Sequence, residues 1–377
     1  MDDIRKCMID NYIKDVLALR KNISVAELMT MAMHAYKQSY YMQNQAIGPE
    51  HDFITAPEIS QTFGEMIAVW LMDAWMQLGQ GPVSIVELGP GRGTLMRDIL
   101  KTIHDNRCYK TACVSMVDVN QTLTAAQRKA LEPFEGIPIR WHQGIETLPV
   151  QDTIIIANEF FDALPIEQYI KIGGLWQRVV VERREDNLSF GYVAIESSLQ
   201  SSLDLLHPCA RDGAIIEEAV GACNYLQGLL RHLAPVRYAM LAIDYGYDIT
   251  THQRHHAQYN STLQAIRAHR YQPVLQDLGL ADISASVDFA QLKDVAAEAG
   301  SIIHGSTSQE EFLHSLGIKS RIEQLQRHNP NLSGILSRQY HRLTDHSQMG
   351  LLFKVLCLSN VTHYMPIGFY RHGKPCI

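Results

Sequence analysis

The chain has no CxxC pair. Its seven cysteines, Cys7, Cys108, Cys113, Cys209, Cys223, Cys357 and Cys376, are an odd number scattered along the length. That spacing suits neither a zinc ribbon nor a disulfide framework and reads as a reduced set of thiols. Positive charge is short as well: 33 Lys and Arg against 40 Asp and Glu leave a net charge of −7. General nucleic-acid binders carry a basic excess to neutralise phosphates, so no nucleic-acid partner is expected. The most apolar helical run, residues 66–76, carries Asp73 and is well short of the ~20 residues that cross a bilayer, so no membrane span is expected. The opening MDDIRKCMIDNYIKDVLALR has no apolar core of the kind a signal peptide needs. Histidines number 17, but the one close cluster, His252, His255 and His256, lies in a polar stretch without cysteine partners. It reads as a solvated loop, and no metal site is expected. Together these absences lead to the expectation of a soluble, cytoplasmic protein.

What is present is a long chain, 377 residues at 46% hydrophobic content, enough for two domains or one large α/β domain with insertions. The first eighty residues read as mostly helical. Ser24 and Glu27 form a capping box, and residues 59–78 form a second helix with Trp70 and Trp75 in the core. Residues 40–60, with Gly48, Pro49 and Pro57, are irregular yet too apolar for disorder, which points to an ordered functional loop. From residue 82 short apolar strands (83–88, 112–119, 137–141, 153–157) alternate with helices (94–103, 122–131), the pattern of a parallel sheet with right-handed crossovers. Residues 167–172 and 175–182 flank Gly173-Gly174 as a hairpin, and 187–195 adds a third strand. A long helix over 215–233, a strand over 237–243, a mainly helical tail and a strand-like run over 351–358 complete the reading. The expected architecture is an α/β, Rossmann-like sheet. Residues 1–80 would form a helical lid, and residues 81–377 a core with insertions around 166–235 and 250–345.

The sharpest motif is the run from Glu87 through Gly89, Gly91 and Gly93 to Thr94, a buried strand entering a turn with glycine at alternate positions. Glycine permits the sharp turn and a close ligand approach, and the next helix offers free N–H groups. Dinucleotide enzymes use G-x-G-x-x-G for a pyrophosphate; here the third glycine comes one residue early and Thr94 holds the dinucleotide position. The E-x-G-x-G-x-G form is instead that of class I methyltransferases, whose cofactor is S-adenosyl-L-methionine. Asp118, 29 residues beyond Gly89 at the end of the second strand, is placed to hold ribose hydroxyls. A tight turn with no ligand is the plain alternative.

A second segment follows the fourth strand: Asn158, Glu159, Phe160, Phe161 and Asp162. In open α/β sheets ligands lie beyond the carboxyl ends of strands at the switch point, which puts Asn158, Glu159 and Asp162 beside the cofactor. Two carboxylates suit a guanidinium, which they would orient and deprotonate. Alternatively Asn158 and Asp162 cap a helix and Glu159 is solvated. In the loop ahead of residue 60, Thr55 and Glu58 are placed to reach the cofactor, with Pro57 starting a helix. Asp244 either faces the acceptor or caps a turn, and His269 is a lesser candidate for a base.

At DFITAPEISQTFGE (52–65), VELGPGRGTLMRDIL (86–100), ANEFFDALP (157–165) and MGLLFKVL (349–356) the chain resembles the MidA family, relatives of the mitochondrial arginine methyltransferase of complex I assembly. The resemblance implies a class I methyltransferase core and a helical segment closing over the site. It also implies a protein acceptor, arginine first, with a respiratory complex I subunit as the partner. The chain departs from that family at Ser261 (commonly Gly), Ile266 (an aromatic), Ser286 (His) and Asp118 (Glu). These departures bear on the acceptor more than on the cofactor. A cofactor-holding assembly protein that transfers nothing and a small-molecule methyltransferase remain the rival functions.

Overall fold

The computed structural model describes residues 2–33, 39–40, 55–134, 136–185, 187–249, 259–371 and 374–375. The chain opens with α1 (Asp2–Leu19), β1 (Asn22–Ser24), α2 (Val25–Met33), α3 (Ala56–Ile59) and α4 (Gln61–Gln77). Then come β2 (Val83–Leu88), α5 (Thr94–Ile103), α6 (Arg107–Thr111), β3 (Ala112–Val117), α7 (Thr124–Leu131), β4 (Ile139–His142) and β5 (Thr153–Asn158). An inserted stretch holds β6 (Glu167–Ile172), β7 (Leu175–Arg184), β8 (Asn187–Ala194), α8 (Ser197–Leu206) and β9 (Ile215–Glu218). After α9 (Val220–Leu233) and β10 (Tyr238–Tyr247) follow β11 (Gln264–Arg267), β12 (Arg270–Gln272), β13 (Asp282–Ser284) and β14 (Val287–Asp288). The last third contains α10 (Phe289–Glu298), β15 (Ile302–Ser308), α11 (Gln309–Ser315), α12 (Ile318–His328), α13 (Ser333–Thr344), α14 (Met349–Leu352) and β16 (Phe353–Ser359).

The central sheet runs β15-β16-β10-β5-β2-β3-β4, with β14 added beside β10. From β4 to β10 every pairing is parallel; β16 is antiparallel to both its neighbours. β2 and β5 are buried at every position, as parallel strands covered on both faces must be. Their side chains alternate. Val83, Ile85, Ile154 and Ile156 meet α4 and α5, whereas Val86, Leu88, Ile155 and Ala157 meet α9 and α10. Strand order reverses between β2 and β5, so the sheet is the expected class I α/β fold with its crevice beyond Leu88 and Ala157.

A second sheet, β1-β7-β6-β9 with β8 beside β7, is built from the insertion and one strand of the N-terminal segment. β1 pairs antiparallel with β7, Ser24 opposite Val180. Ile9, Ile13, Leu28 and Met29 bury against Val179, Val181 and Ile283, so apolar packing ties the first helices to the insertion. The capping box forms as expected: Ser24 N–H donates to Glu27 Oε2 at 2.8 Å and Glu27 N–H to Ser24 Oγ at 3.2 Å.

Several expectations are corrected. The helix expected over 215–233 starts only at Val220, because Ile215–Glu218 pairs with β6 and buries Ile216 and Glu217. The helix expected over 59–78 breaks at Ser60, which is extended (φ −156°) and whose hydroxyl caps Thr62 N–H. The tail is less helical than expected, since β11, β12 and β13 form their own sheet. Trp70 and Trp75 are core residues as anticipated. Residues 41–54 of the irregular loop, and His252, His255 and His256, lie outside the described residues. Among the described residues no helix is long and apolar enough to cross a membrane.

Candidate functional site

All three glycines of the turn adopt positive φ: +61° at Gly89, +51° at Gly91 and +80° at Gly93. Only glycine enters that region without strain, which is why the strand can reverse so tightly into α5. A Cβ on Gly89 would lie 2.9 Å from Phe160 Cδ2, and one on Gly93 3.3 Å from Gln127 Cα. At both positions the missing Cβ therefore lets protein pack closely against the turn.

Period-2 alternation places Glu87 on the α4–α5 face of β2, two residues beyond Ile85. Asn158 follows Ile156 on the same face, and Asp118 follows Met116. Glu87 is buried, and its Oε2 has no hydrogen-bond partner. Burial pushes its carboxyl up to about 8, against a hydrogen bond from Met96 N–H and with a further upward push from Asp118. Asn158 Oδ1 is likewise buried without a partner. Asp118 Oδ1 accepts from Asn120 N–H (2.8 Å) and Oδ2 from Gln127 Nε2 (3.1 Å), and burial raises it to about 6. Gln127 Nε2 also donates to the Gly91 carbonyl at 2.9 Å, so one amide ties the glycine turn to the acid of the next strand. Sequence reading missed Gln127; its only signal is a glutamine on the inward side of a short helix.

Beyond β5 no helix starts, so Asn158 and Asp162 are not helix caps. Glu159 turns the chain with φ +50°. The backbone N–H groups of Phe160, Phe161 and Asp162 then all donate to one oxygen, Asp244 Oδ2, at 3.1, 3.0 and 3.3 Å. Tyr245 N–H donates to the other oxygen at 2.9 Å. Asp244 is fully buried; burial and the neighbouring Asp162 and Glu159 push its carboxyl well up, while these N–H groups stabilise the anion. Asp244 thus neither faces an acceptor nor caps the turn that follows it: it holds the turn of another strand.

Glu159 and Asp162 are presented by this turn. Burial raises Glu159 to about 7, countered by hydrogen bonds from Ala56 N–H (3.0 Å) and Asn158 Nδ2 (3.1 Å). Burial also raises Asp162, to about 6, against a hydrogen bond from the Tyr245 hydroxyl. Glu159 carries the start of α3, and Thr94 Oγ1 donates to Glu58 Oε1 at 2.5 Å, so α3 is pinned across the glycine turn from both sides. Thr55, Pro57 and Glu58 line one wall of the cavity between them; Glu87, Gly89, Gly91, Asn158 and Glu159 line the other. The cavity holds about 60 Å³, so α3 is a close cover.

The fold therefore brings Thr55, Glu58, Glu87, Gly89, Gly91, Asn158 and Glu159 to one cavity. Gly93 and Asp118 stand beside it across Gln127, and Asp162 lies behind Glu159 against Tyr245. His269 is elsewhere, exposed in the turn between β11 and β12, where it and Ala268 have φ of +60° and +49°.

The model of a family described as S-adenosyl-L-methionine-dependent methyltransferases matches residues 66–307. The mitochondrial protein arginine methyltransferase NDUFAF7 of Danio rerio is 32% identical over 383 residues, covering 95% of this chain and 88% of that protein. The mitochondrial NDUFAF7 homolog of Drosophila melanogaster is 30% identical over 380 residues, covering 92% and 85%. A crystal structure of a Burkholderia thailandensis protein bound to S-adenosyl-homocysteine shares the fold at a TM-score of 0.88, covering 98% of this chain and 96% of that one at 24% identity. Both relatives are named as mitochondrial, which overturns the cytoplasmic expectation. Reduced, scattered cysteines report redox chemistry, and several compartments share it.

Proposed function

The chain belongs to the family of S-adenosyl-L-methionine-dependent methyltransferases, and from that premise we propose that it methylates an arginine side chain of a protein. The carrying observation is Glu159 beside the glycine turn with Asp162 behind it, both on a turn held by three N–H bonds to Asp244. The cofactor fits the residues present. Gly89, Gly91 and Gly93 let the backbone turn tightly beside the cavity, and Glu87 Oε2 and Asn158 Oδ1 are buried acceptors without partners. Asp118 would take ribose hydroxyls, Glu87 would hold the cationic end, and Thr55 and Glu58 on α3 would cover the molecule. S-adenosyl-L-methionine supplies an electrophilic methyl group on a sulfonium.

Glu159 and Asp162 hold the guanidinium in a carboxylate fork so that one nitrogen faces the methyl carbon, with Asn158 orienting Glu159. A guanidinium nitrogen that takes up a methyl group must give up a proton, and Glu159 Oε would receive it. A carboxylate poised near 7 is suited to that exchange at neutral pH. By resemblance, the partner is a respiratory complex I subunit. The test is to incubate the protein with methyl-labelled S-adenosyl-L-methionine and candidate subunits, then locate the label by peptide mass spectrometry. Label on arginine is expected. Cofactor binding with no transfer to any protein would favour the assembly-protein reading, and label on a small molecule the other rival.

A further inference from the structure

α13 carries Arg338, His341 and Arg342 on one exposed face, at helical spacings of three and four. Among the described residues neither guanidinium has an ion-pair partner. Like charges four apart on a helix destabilise it slightly, so folding gives no reason for the arrangement. α13 packs against α3, and Ser60 Oγ donates to Gln339 Oε1 at 3.2 Å. The basic face thus borders the cover of the site, with Arg342 near enough to draw Glu159 toward its ionised form. The same side chains line an open groove of about 360 Å³ with Asp345, Ser347 and Gln348. Its one acid, Asp345, is bound by the Ser347 hydroxyl and N–H at 2.6 and 2.8 Å. The acids around the neighbouring histidines are engaged too, Glu310 pairing with His346 at 2.6 Å.

We propose that the α13 groove selects the methyl acceptor by binding carboxylates that flank the target arginine. This deepens the function proposed above and rests on it for the identity of the target residue. An arginine approaching Glu159 meets the like charge of Arg342; an acid beside it in the acceptor relieves that repulsion and pairs with the groove. A protein segment fits better than a nucleic acid, because the chain's net charge of −7 repels a polyphosphate away from this small patch.

The experiment uses fluorescent peptides with one central arginine flanked by glutamates, by glutamines or by lysines. Their binding to the full chain saturated with S-adenosyl-homocysteine is read by anisotropy, and their methylation separately. The glutamate peptide is expected to bind about tenfold more tightly than the glutamine one, equivalent to about 1.4 kcal/mol, and to lose that margin in high salt. R338E/R342E, checked for retained S-adenosyl-homocysteine binding, is expected to reverse the order in favour of lysine. Equal binding of the three peptides, or a preference unchanged in R338E/R342E, overturns the groove. So does a single-stranded oligonucleotide that displaces the peptide at lower concentration than it binds. If R338E/R342E does not retain S-adenosyl-homocysteine binding, wild type against the three peptides decides. Selective binding without any arginine methylation leaves the groove standing and refutes the arginine function instead.

Discussion

Two turns face each other across the switch point, and they reach similar backbone geometry by opposite means. The turn after β2 takes positive φ at three glycines, and no side chain from elsewhere in the chain needs to hold its shape. The turn after β5 takes positive φ at Glu159, a residue that resists it, and is held by a single buried carboxylate, Asp244 Oδ2. The first arrangement lets a ligand approach the backbone closely, which a cofactor requires. The second presents acids at a fixed place, which an acceptor requires. The difference teaches that close approach can be encoded locally, whereas presentation of a strained acid needs support from elsewhere in the chain.

The comparison breaks most readily at Gly89. A valine there puts a β-branched residue at φ +61° and a Cβ 2.9 Å from the Phe160 ring. We expect Gly89→Val to abolish measurable S-adenosyl-homocysteine binding by calorimetry, a loss of at least about a hundredfold. Binding within a few-fold of wild type would mean that the glycine turn is not the cofactor's seat. On the other side, Glu159→Gln is expected to lower methyl transfer by about 10²–10³-fold while cofactor affinity stays within a few-fold. Wild-type turnover in that variant would remove the acid from the mechanism.

Asp244→Asn sharpens the comparison further. Its amide oxygen can still accept the three N–H groups, but the amide nitrogen then meets Tyr245 N–H, donor against donor. The expected result is a loss of roughly 2–3 kcal/mol in stability by denaturant unfolding, together with a drop in transfer and little change in cofactor affinity. If cofactor affinity falls as far as transfer does, the two turns are not independently held.

How far the sequence revealed these features follows from where their causes lie. Gly89, Gly91 and Gly93 carry their own signal, and the parallel sheet follows from short apolar runs such as residues 154–157. Thr55, Glu58, Asn158 and Glu159 were found because they adjoin recognisable segments, and the cavity does collect them. Asp244 and Gln127 were missed in their actual roles, because each acts on a segment distant in sequence and nothing local marks it. The same limit explains β9. Ile215–Glu218 reads as helical, yet Glu217 is buried by long-range bonds, Thr262 N–H to Oε1 at 2.8 Å and Thr262 Oγ1 to Oε2 at 2.5 Å. Ala268 and His269 form a hairpin turn without any of the glycine or asparagine that would announce one.

The smallest effect concerns the acid behind the glycine turn. Burial lifts the Glu87 carboxyl from its ordinary 4.5 to about 8, so the folded, ligand-free protein prefers it protonated. By linkage that contribution to stability is complete below about 4.5 and is lost as pH rises through about 8. Between roughly pH 6 and pH 8 we expect wild type to lose about 2 kcal/mol on this account, and Glu87→Gln to lose less, by thermal unfolding at each pH. The cofactor's cationic end, once bound, should favour the ionised form and flatten the wild-type profile as the substitution does. A wild-type profile that keeps its slope when saturated with S-adenosyl-L-methionine would place that cationic end away from Glu87. The glycine turn would then admit the cofactor without this acid contributing to its recognition.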